Sequence, residues 1–260
     1  MTGKSVKTIR ILLSLALVAA LAAATGTLCG AAADEARPKL AEPFAADGES
    51  GPLYSSERYI QRAPAAPGAT WTVPGDYATI QAAIDAATAG DIISVAAGTY
   101  AEAILIDGKD LTLTGAGAGS SIITGTSAQT QYIVRITNGA IVDFSGFTVD
   151  GTGIERQYGI YADAGSSGDI HDNVVKNVIW PGAGGIAIRR QECHIDVTNN
   201  EVYGFGRIGI YTRDDVIGNT DTGVISGNTV TGLAGTDPDR LSYGISVYSG
   251  NPTVDGNEIR

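Results

Sequence analysis

Cysteine is nearly absent: the 260 residues contain two, Cys29 and Cys193. A disulfide framework is excluded, because stapled folds need several pairs. Basic residues are also scarce, 17 against 28 acidic ones, for a formal charge of -11. No basic block offsets this, so neither nucleic acid nor an anionic membrane surface is an expected partner. Glycine, at 35, far exceeds proline, at nine, but keeps no strict period. That excludes a collagen and leaves many tight turns. Helix-favouring charged residues are few and β-branched residues plentiful, which points to an all-β chain. Acidic clusters suit a hard cation such as calcium, although solvated carboxylates are the commoner source of acidity.

Only one long apolar run occurs, Ile11 to Ala24, and it is short for a transmembrane span. Lys4, Lys7 and Arg10 precede it, and Ala31, Ala32 and Ala33 follow. Residues 1–33 therefore read as a Sec signal peptide, with a secreted, cell-surface or periplasmic destination. Cys29 raises a lipoprotein anchor as the alternative, but Gly26 stands where such signals carry leucine. Without the leader, 14 basic residues face 28 acidic ones, a charge of -14. Residues 34–70, rich in Ala, Pro, Glu and Asp, read as a disordered linker. The expected folded domain is 71–260. In it Cys193 is alone and reads as a partly buried thiol rather than a nucleophile.

Two phrases recur in that domain. Ile170-His171-Asp172-Asn173-Val174 returns around Asn200, Asn228 and Asn257, at steps of 27, 28 and 29 residues. A degenerate copy puts Phe147 26 residues before Asn173. Glycine followed by an alternating strand begins at Gly159, Gly185, Gly209 and Gly244. Two strand phrases at one drifting period mean one coil per repeat, and such coils bury a core only by stacking. Asn tolerates the left-handed turn and can bond its copy in the next coil, so the Asn ladder reads as structural. Ile160, Ile186, Ile210 and Ile245 should point inward, with Ala162, Ile188, Thr212 and Val247. Before the coils, Ile80, Ala83, Ile84 and Ala87 recur at helical spacing, and Gly90 stops the run. A helix over Thr79 to Ala87 would cover the open end of the first coil.

The run Asp76-Tyr77-Ala78-Thr79-Ile80-Gln81-Ala82-Ala83-Ile84-Asp85, then Gly98-Thr99-Tyr100-Ala101-Glu102, then Leu111-Thr112-Leu113-Thr114-Gly115, resembles the N-terminal start of pectin-lyase-like proteins. The resemblance implies a right-handed parallel β-helix of three sheets and roughly six coils. It leaves the activity open, because the fold carries lyases, hydrolases, esterases, epimerases and adhesins. The acids and the Arg-Pro-Trp segment of pectin methylesterases are missing, and Asp237-Pro238-Asp239-Arg240 lacks the histidine of the alginate epimerase signature.

Aligned on the Gly-Ile phrases, one outward column reads Thr137, Asp163, Arg189, Arg213 and Tyr248. Its neighbour reads Arg135, Tyr161, Ala187, Tyr211 and Ser246. Arg forks suit carboxylates, and tyrosine faces suit sugar rings. This chemistry fits an acidic polysaccharide, bound by Asp163, Tyr161, Tyr211 and Tyr248. Similarity to pectate lyases implies an arginine base, Arg189 or Arg213, and calcium held by Asp163, Asp214 and Asp215. The plainer alternative is a salt-bridged solenoid face on a non-catalytic, adhesin-like scaffold. Glu192, His194 and His171 fall on turns or other sheets, so no metal cluster is expected from them.

The chain stops on the Asn257 phrase without a closing helix or polar coil. Three explanations stay open: a C-terminally incomplete β-helix, which is the expectation favoured here, a partner over the end, or end-to-end association through it.

Overall fold

Each complete coil contributes one strand to each of three parallel sheets, and the partial turns at the two ends bring these to eight, six and seven strands. The computed structural model describes residues 66, 68–126, 131–181, 184–214, 223–233 and 242–260. The expected leader, the linker up to residue 65, and the Asp237 turn lie outside these residues. The eight-stranded sheet runs from Thr70–Val73 to Thr253–Asp255, the six-stranded from Ile104–Asp107 to Tyr243–Val247, and the seven-stranded from Gly98–Tyr100 to Glu258–Ile259.

Alternation along each strand turns every second residue inside. Register then stacks them: Ile93, Leu113, Phe144, Ile170, Val197 and Ile225 form one buried column. Ile123, Val149, Val175, Val202 and Val230 form another. No coil could bury these faces alone, which is why the repeat drives the fold.

The Asn ladder lies between the eight- and seven-stranded sheets. Asn173, Asn200 and Asn228 are buried. The Oδ1 of each accepts the backbone N–H of the residue one coil earlier: Phe147 to Asn173, Asn173 to Asn200 and Asn200 to Asn228. Asn257 closes the series by accepting from Asn228. Phe147 therefore does occupy the ladder's first position, and its ring stacks on Phe144 at 4.6 Å.

The N-terminal motifs have a structural task. The helix Ile80–Ala86 buries Ile80, Ala83 and Ile84 over the first coil. Thr79 caps it, and the Glu102 carboxylate accepts the N–H groups of Ile80 and Gln81 at 3.0 and 2.9 Å. Lys109 Nζ closes the other end, donating to the carbonyls of Ile84, Asp85 and Ala87. Gln81 pairs through its side-chain amide with the N–H and C=O of Leu105. It thus stands in for a missing strand at the edge of the six-stranded sheet.

One inward expectation is corrected. The strand Ile186–Gln191 pairs as Ile188 with Ile160 and Arg190 with Ala162, two residues out of step with the glycine alignment. The inward partners of Ile160 are Ile188, Ile210 and Ile245, while Ile186 lies against Tyr158 and Ile208. The cause is local. Ile188 opposite Ile160 sets Ala187 opposite Gly159, where the other coils carry Gly209 and Gly244. Gly185 belongs to the turn, where a Cβ would lie 2.0 Å from the Val178 carbonyl oxygen. Arg190 consequently takes an inward position, fully buried in register with the small residues Ala162 and Thr212.

Candidate functional site

The same shift rearranges the outward columns of the six-stranded sheet. Arg135, Tyr161, Arg189, Tyr211 and Ser246 now share one column. Gln191, not Arg189, pairs with Arg213 in the next. Asp163 follows the strand Tyr158–Ala162, its N–H held by the Ile136 carbonyl at 2.9 Å. The expected stack of Asp163, Arg189 and Arg213 is therefore not formed.

What forms instead is an alternation of guanidinium and ring. Arg135 Cζ lies 5.3 Å from the Tyr161 ring centroid, and Arg189 Cζ lies 5.1 Å from it on the other side. Arg189 also approaches Tyr211 at 5.8 Å and Tyr158 at 4.9 Å. These are cation–π distances, and the interposed rings separate charges that would otherwise repel. The rings of Tyr158 and Tyr161 lie 4.7 Å apart. Tyr132 adds a further ring, 5.9 Å from Arg135.

Hydrogen bonds lock the column. Arg189 donates from one Nη to the Tyr158 hydroxyl and from the other to Gln191 Oε1. The Tyr161 hydroxyl donates to the same Gln191 oxygen at 3.1 Å. Burial pushes the Tyr161 phenol well above its ordinary range, although Arg189 opposes this, so Tyr161 is a donor and not a base. Arg135 Nη2 donates to Asp163 Oδ2 at 2.7 Å. Burial works against the Arg135 charge, but the bond and charge of Asp163 outweigh it. Asp163 Oδ1 is buried without a hydrogen-bond partner.

Access differs along the column. Tyr158, Tyr211, Arg189 and Asp163 are between 1% and 7% exposed, so the middle is closed. The ends are open. The Arg135 side chain is 34% exposed, and Tyr248, whose ring lies 5.5 Å from Arg213, is 56% exposed. Three strand spacings separate the Arg135 and Arg213 strands, roughly 14 Å.

Of the expected residues, Asp163, Tyr161, Arg189 and Tyr211 thus come together, and Arg213 and Tyr248 form a second group on the same face. Both Nη groups of Arg189 are engaged as donors, one to Tyr158 and the other to Gln191. Asp214 is buried and its N–H bonds Ser249 Oγ at 2.8 Å, while Asp215 lies outside the described residues. Among the described residues no three His, Cys, Asp or Glu side chains converge to hold a metal ion. Asp163 Oδ2, already on a guanidinium, is a poor calcium ligand. Cys193 is buried, its Sγ 3.5 Å from the Ala162 carbonyl.

Tyr158, Tyr132 and Gln191 were not anticipated as site residues. Tyr132 and Tyr158 pair at the same 26-residue step as Val134 and Ile160, so the sequence did carry their signal. Gln191 was hidden by the register shift. A cavity of about 400 Å³ lies elsewhere, at the last coil, lined by Gly244, Ile245, Val254, Asp255, Gly256, Asn257 and Ile259. It contains none of the expected site residues. Among the described residues no helix is long and apolar enough to cross a membrane.

A sequence profile described as a right handed beta helix region matches residues 131–260. Among solved structures the chain is similar to an alginate lyase from Paenibacillus, with 14% identity, 74% of this chain and 95% of that chain covered, and a TM-score of 0.45. That likeness is one of fold alone. No curated protein matches the chain.

Proposed function

Since this chain belongs to the right-handed β-helix family, whose stacked coils repeat one chemistry along an axis, we propose that it binds an acidic polysaccharide along the six-stranded face. The observation that carries this reading is the pair of accessible guanidinium–tyrosine groups, Arg135 with Tyr132 and Tyr161, and Arg213 with Tyr248. A guanidinium pairs with a uronate carboxylate, and a tyrosine face accepts a sugar ring. Two such groups on one face suit a polymer better than a monosaccharide, because the second contact forms intramolecularly. The buried middle of the column fixes their spacing. In this proposal the protein works outside the cytoplasm, and calcium is at most an accessory ion near Asp214 and Asp215.

Binding is favoured over elimination, because the interior Arg189 is committed to Tyr158 and Gln191. Arg213 alone keeps the lyase variant of the proposal. A second reading, a non-catalytic scaffold, draws on the closure of the column's middle, which a purely structural spine would also have.

Calorimetric titration with pectate and alginate, with and without calcium, tests the proposal. A charge-assisted bond is worth about 1.5–3 kcal/mol, so Arg135→Ala or Arg213→Ala should each weaken binding roughly tenfold or more. Ultraviolet absorbance of unsaturated products, lost in Arg213→Ala, would identify a lyase. No binding to any uronan would leave the scaffold reading.

A further inference from the structure

The eight-stranded sheet carries a second polar face. Asp143, Asp169 and Asp196 stand in one outward column on three consecutive coils. His171 lies two residues beyond Asp169 on its strand, and His194 two residues before Asp196. Asp172 follows His171 at a left-handed turn, with φ of 53°. Among the described residues the neighbouring outward positions Thr112, Thr114, Val224 and Ser226 bring no charge, and the next carboxylate in the His171 column, Asp255, stands three coils away beyond Thr198 and Ser226.

The geometry of His171 is specific. Its Nδ1 lies 2.7 Å from Asp172 Oδ2 and its Nε2 lies 3.2 Å from Asp143 Oδ1. Ionised carboxylates only accept hydrogen bonds, and a neutral imidazole donates only one. Both contacts are therefore satisfied together only by the doubly protonated ring. We infer that this face is a pH-sensitive clamp, in which the His171 imidazolium bridges Asp143 of one coil to Asp172 of the next and holds the aspartate column together. When the ring loses a proton, one arm of the bridge is lost. Asp143 then rejoins Asp169 and Asp196 as uncompensated like charge at stacking distance.

The electrostatics run the same way. Burial disfavours the charged ring, but the bond to Asp172 and the charge and bond of Asp143 outweigh it, raising the His171 pKa above its ordinary value. Burial first, then the charges of Asp196 and Asp143, raise that of Asp169 against the pull of His171 and His194. A histidine raised on folding adds stability that is complete below its unfolded value of about 6.5 and disappears as pH rises through the folded value. A carboxyl raised on folding likewise favours the folded state at low pH and loses this as pH rises above about 4. Both groups make the folded coils more stable in acid than in alkali.

Only two histidines occur in the chain, so their imidazole resonances can be assigned with one variant, His194→Gln. In the full-length protein His171 should titrate above 6.5. Asp172→Asn, which removes the charge of one arm, should move it back by roughly one unit, a tenfold change in proton affinity. The melting temperature of the wild type should fall between about pH 6 and pH 9, and that fall should be smaller in Asp172→Asn and in His171→Gln. A His171 that titrates at or below 6.5, or an equal fall in the variants, overturns the clamp. Should His171→Gln fail to fold, the Asp172→Asn titration decides alone.

Discussion

Removing the side-chain amide of Asn200 should be far more costly than removing that of Asn257, although the two residues occupy the same turn. Asn200 is 2% exposed and its Nδ2 donates to the Ile170 and Thr198 carbonyls and to Asn228 Oδ1. Its Oδ1 accepts from both the backbone N–H and the Nδ2 of Asn173. In Asn200→Ala, two buried main-chain groups, the Asn173 N–H and the Ile170 C=O, lose these partners. Each orphaned buried group costs about 1–3 kcal/mol, so the loss should be about 2–6 kcal/mol. Asn257 is partly exposed, water replaces its side chain, and Asn257→Ala should cost less than about 1 kcal/mol. Urea denaturation, with the slope required to stay constant between variants, measures both, and native-state hydrogen exchange locates the opening. Equal losses at the two positions would refute the idea that burial of the ladder, rather than the turn preference of asparagine, carries its energy. A large loss in Asn200→Gly as well, but not in Asn200→Asp, would place the energy in the accepting oxygen instead of the donated bonds.

Other positions give equally sharp expectations. The Asp91 carboxylate accepts bonds from the Thr88 N–H, the Trp71 indole and the Ala69 N–H, which hold its pKa down at about 2. The stability it lends is complete above about 4 and lost as pH falls towards 2, so acid unfolding followed by fluorescence should be less steep in Asp91→Ala. Gln81→Ala removes the two bonds to Leu105 and should lower stability by about 1–3 kcal/mol in thermal unfolding, whereas Gln81→Glu keeps the acceptor and should fall between. Gly168 has a φ of +112°, and a Cβ there would lie 2.2 Å from the Val142 carbonyl oxygen. Gly168→Ala should therefore reduce the urea midpoint by the equivalent of more than about 2 kcal/mol.

Much of the fold was legible because a solenoid writes each contact several times. The step between Asn173, Asn200, Asn228 and Asn257 is the length of one coil, and even the defective copy at Phe147 sits in register. The capping helix was legible from the spacing of Ile80, Ala83 and Ile84. Its fastening was not. Glu102, Lys109 and Gln81 act across 21 to 25 residues, and sequence spacing gives no local sign that an acid far along the chain caps a helix. The resemblance marked Gly98 to Glu102 as a conspicuous phrase, and the structure gives the last residue of that phrase its physical reason.

The outward face was legible in composition but not in register, and the difference is instructive about what fixes a coil. Glycine was used to align the strands, yet glycine is demanded wherever backbone comes too close for a Cβ, and that happens at two distinct places. Gly159 and Gly209 face the carbonyls of Ala187 and Gly244 inside the stack, whereas Gly185 faces Val178 in the turn. A residue type required for one physical reason at several sites is a poor ruler. The buried isoleucines are a better one: Ile160, Ile188, Ile210 and Ile245 stack in one column, whereas a two-residue slip would still bury an aliphatic side chain but would take Gly185 out of the turn where it faces Val178 and set Arg189 beside Arg213. In the observed register each guanidinium of the column meets a ring, and Gln191 separates the Asp163 turn from Arg213. Since parallel stacking leaves neighbouring side chains only about 4.8 Å of backbone separation, like charges in one column need an interleaved partner, and tyrosine supplies an apolar body, a π face and a hydroxyl at once. The outer surface is thus consistent with the register that the core sets, and it leaves Arg135 at one end of the column and Arg213 in the adjacent one.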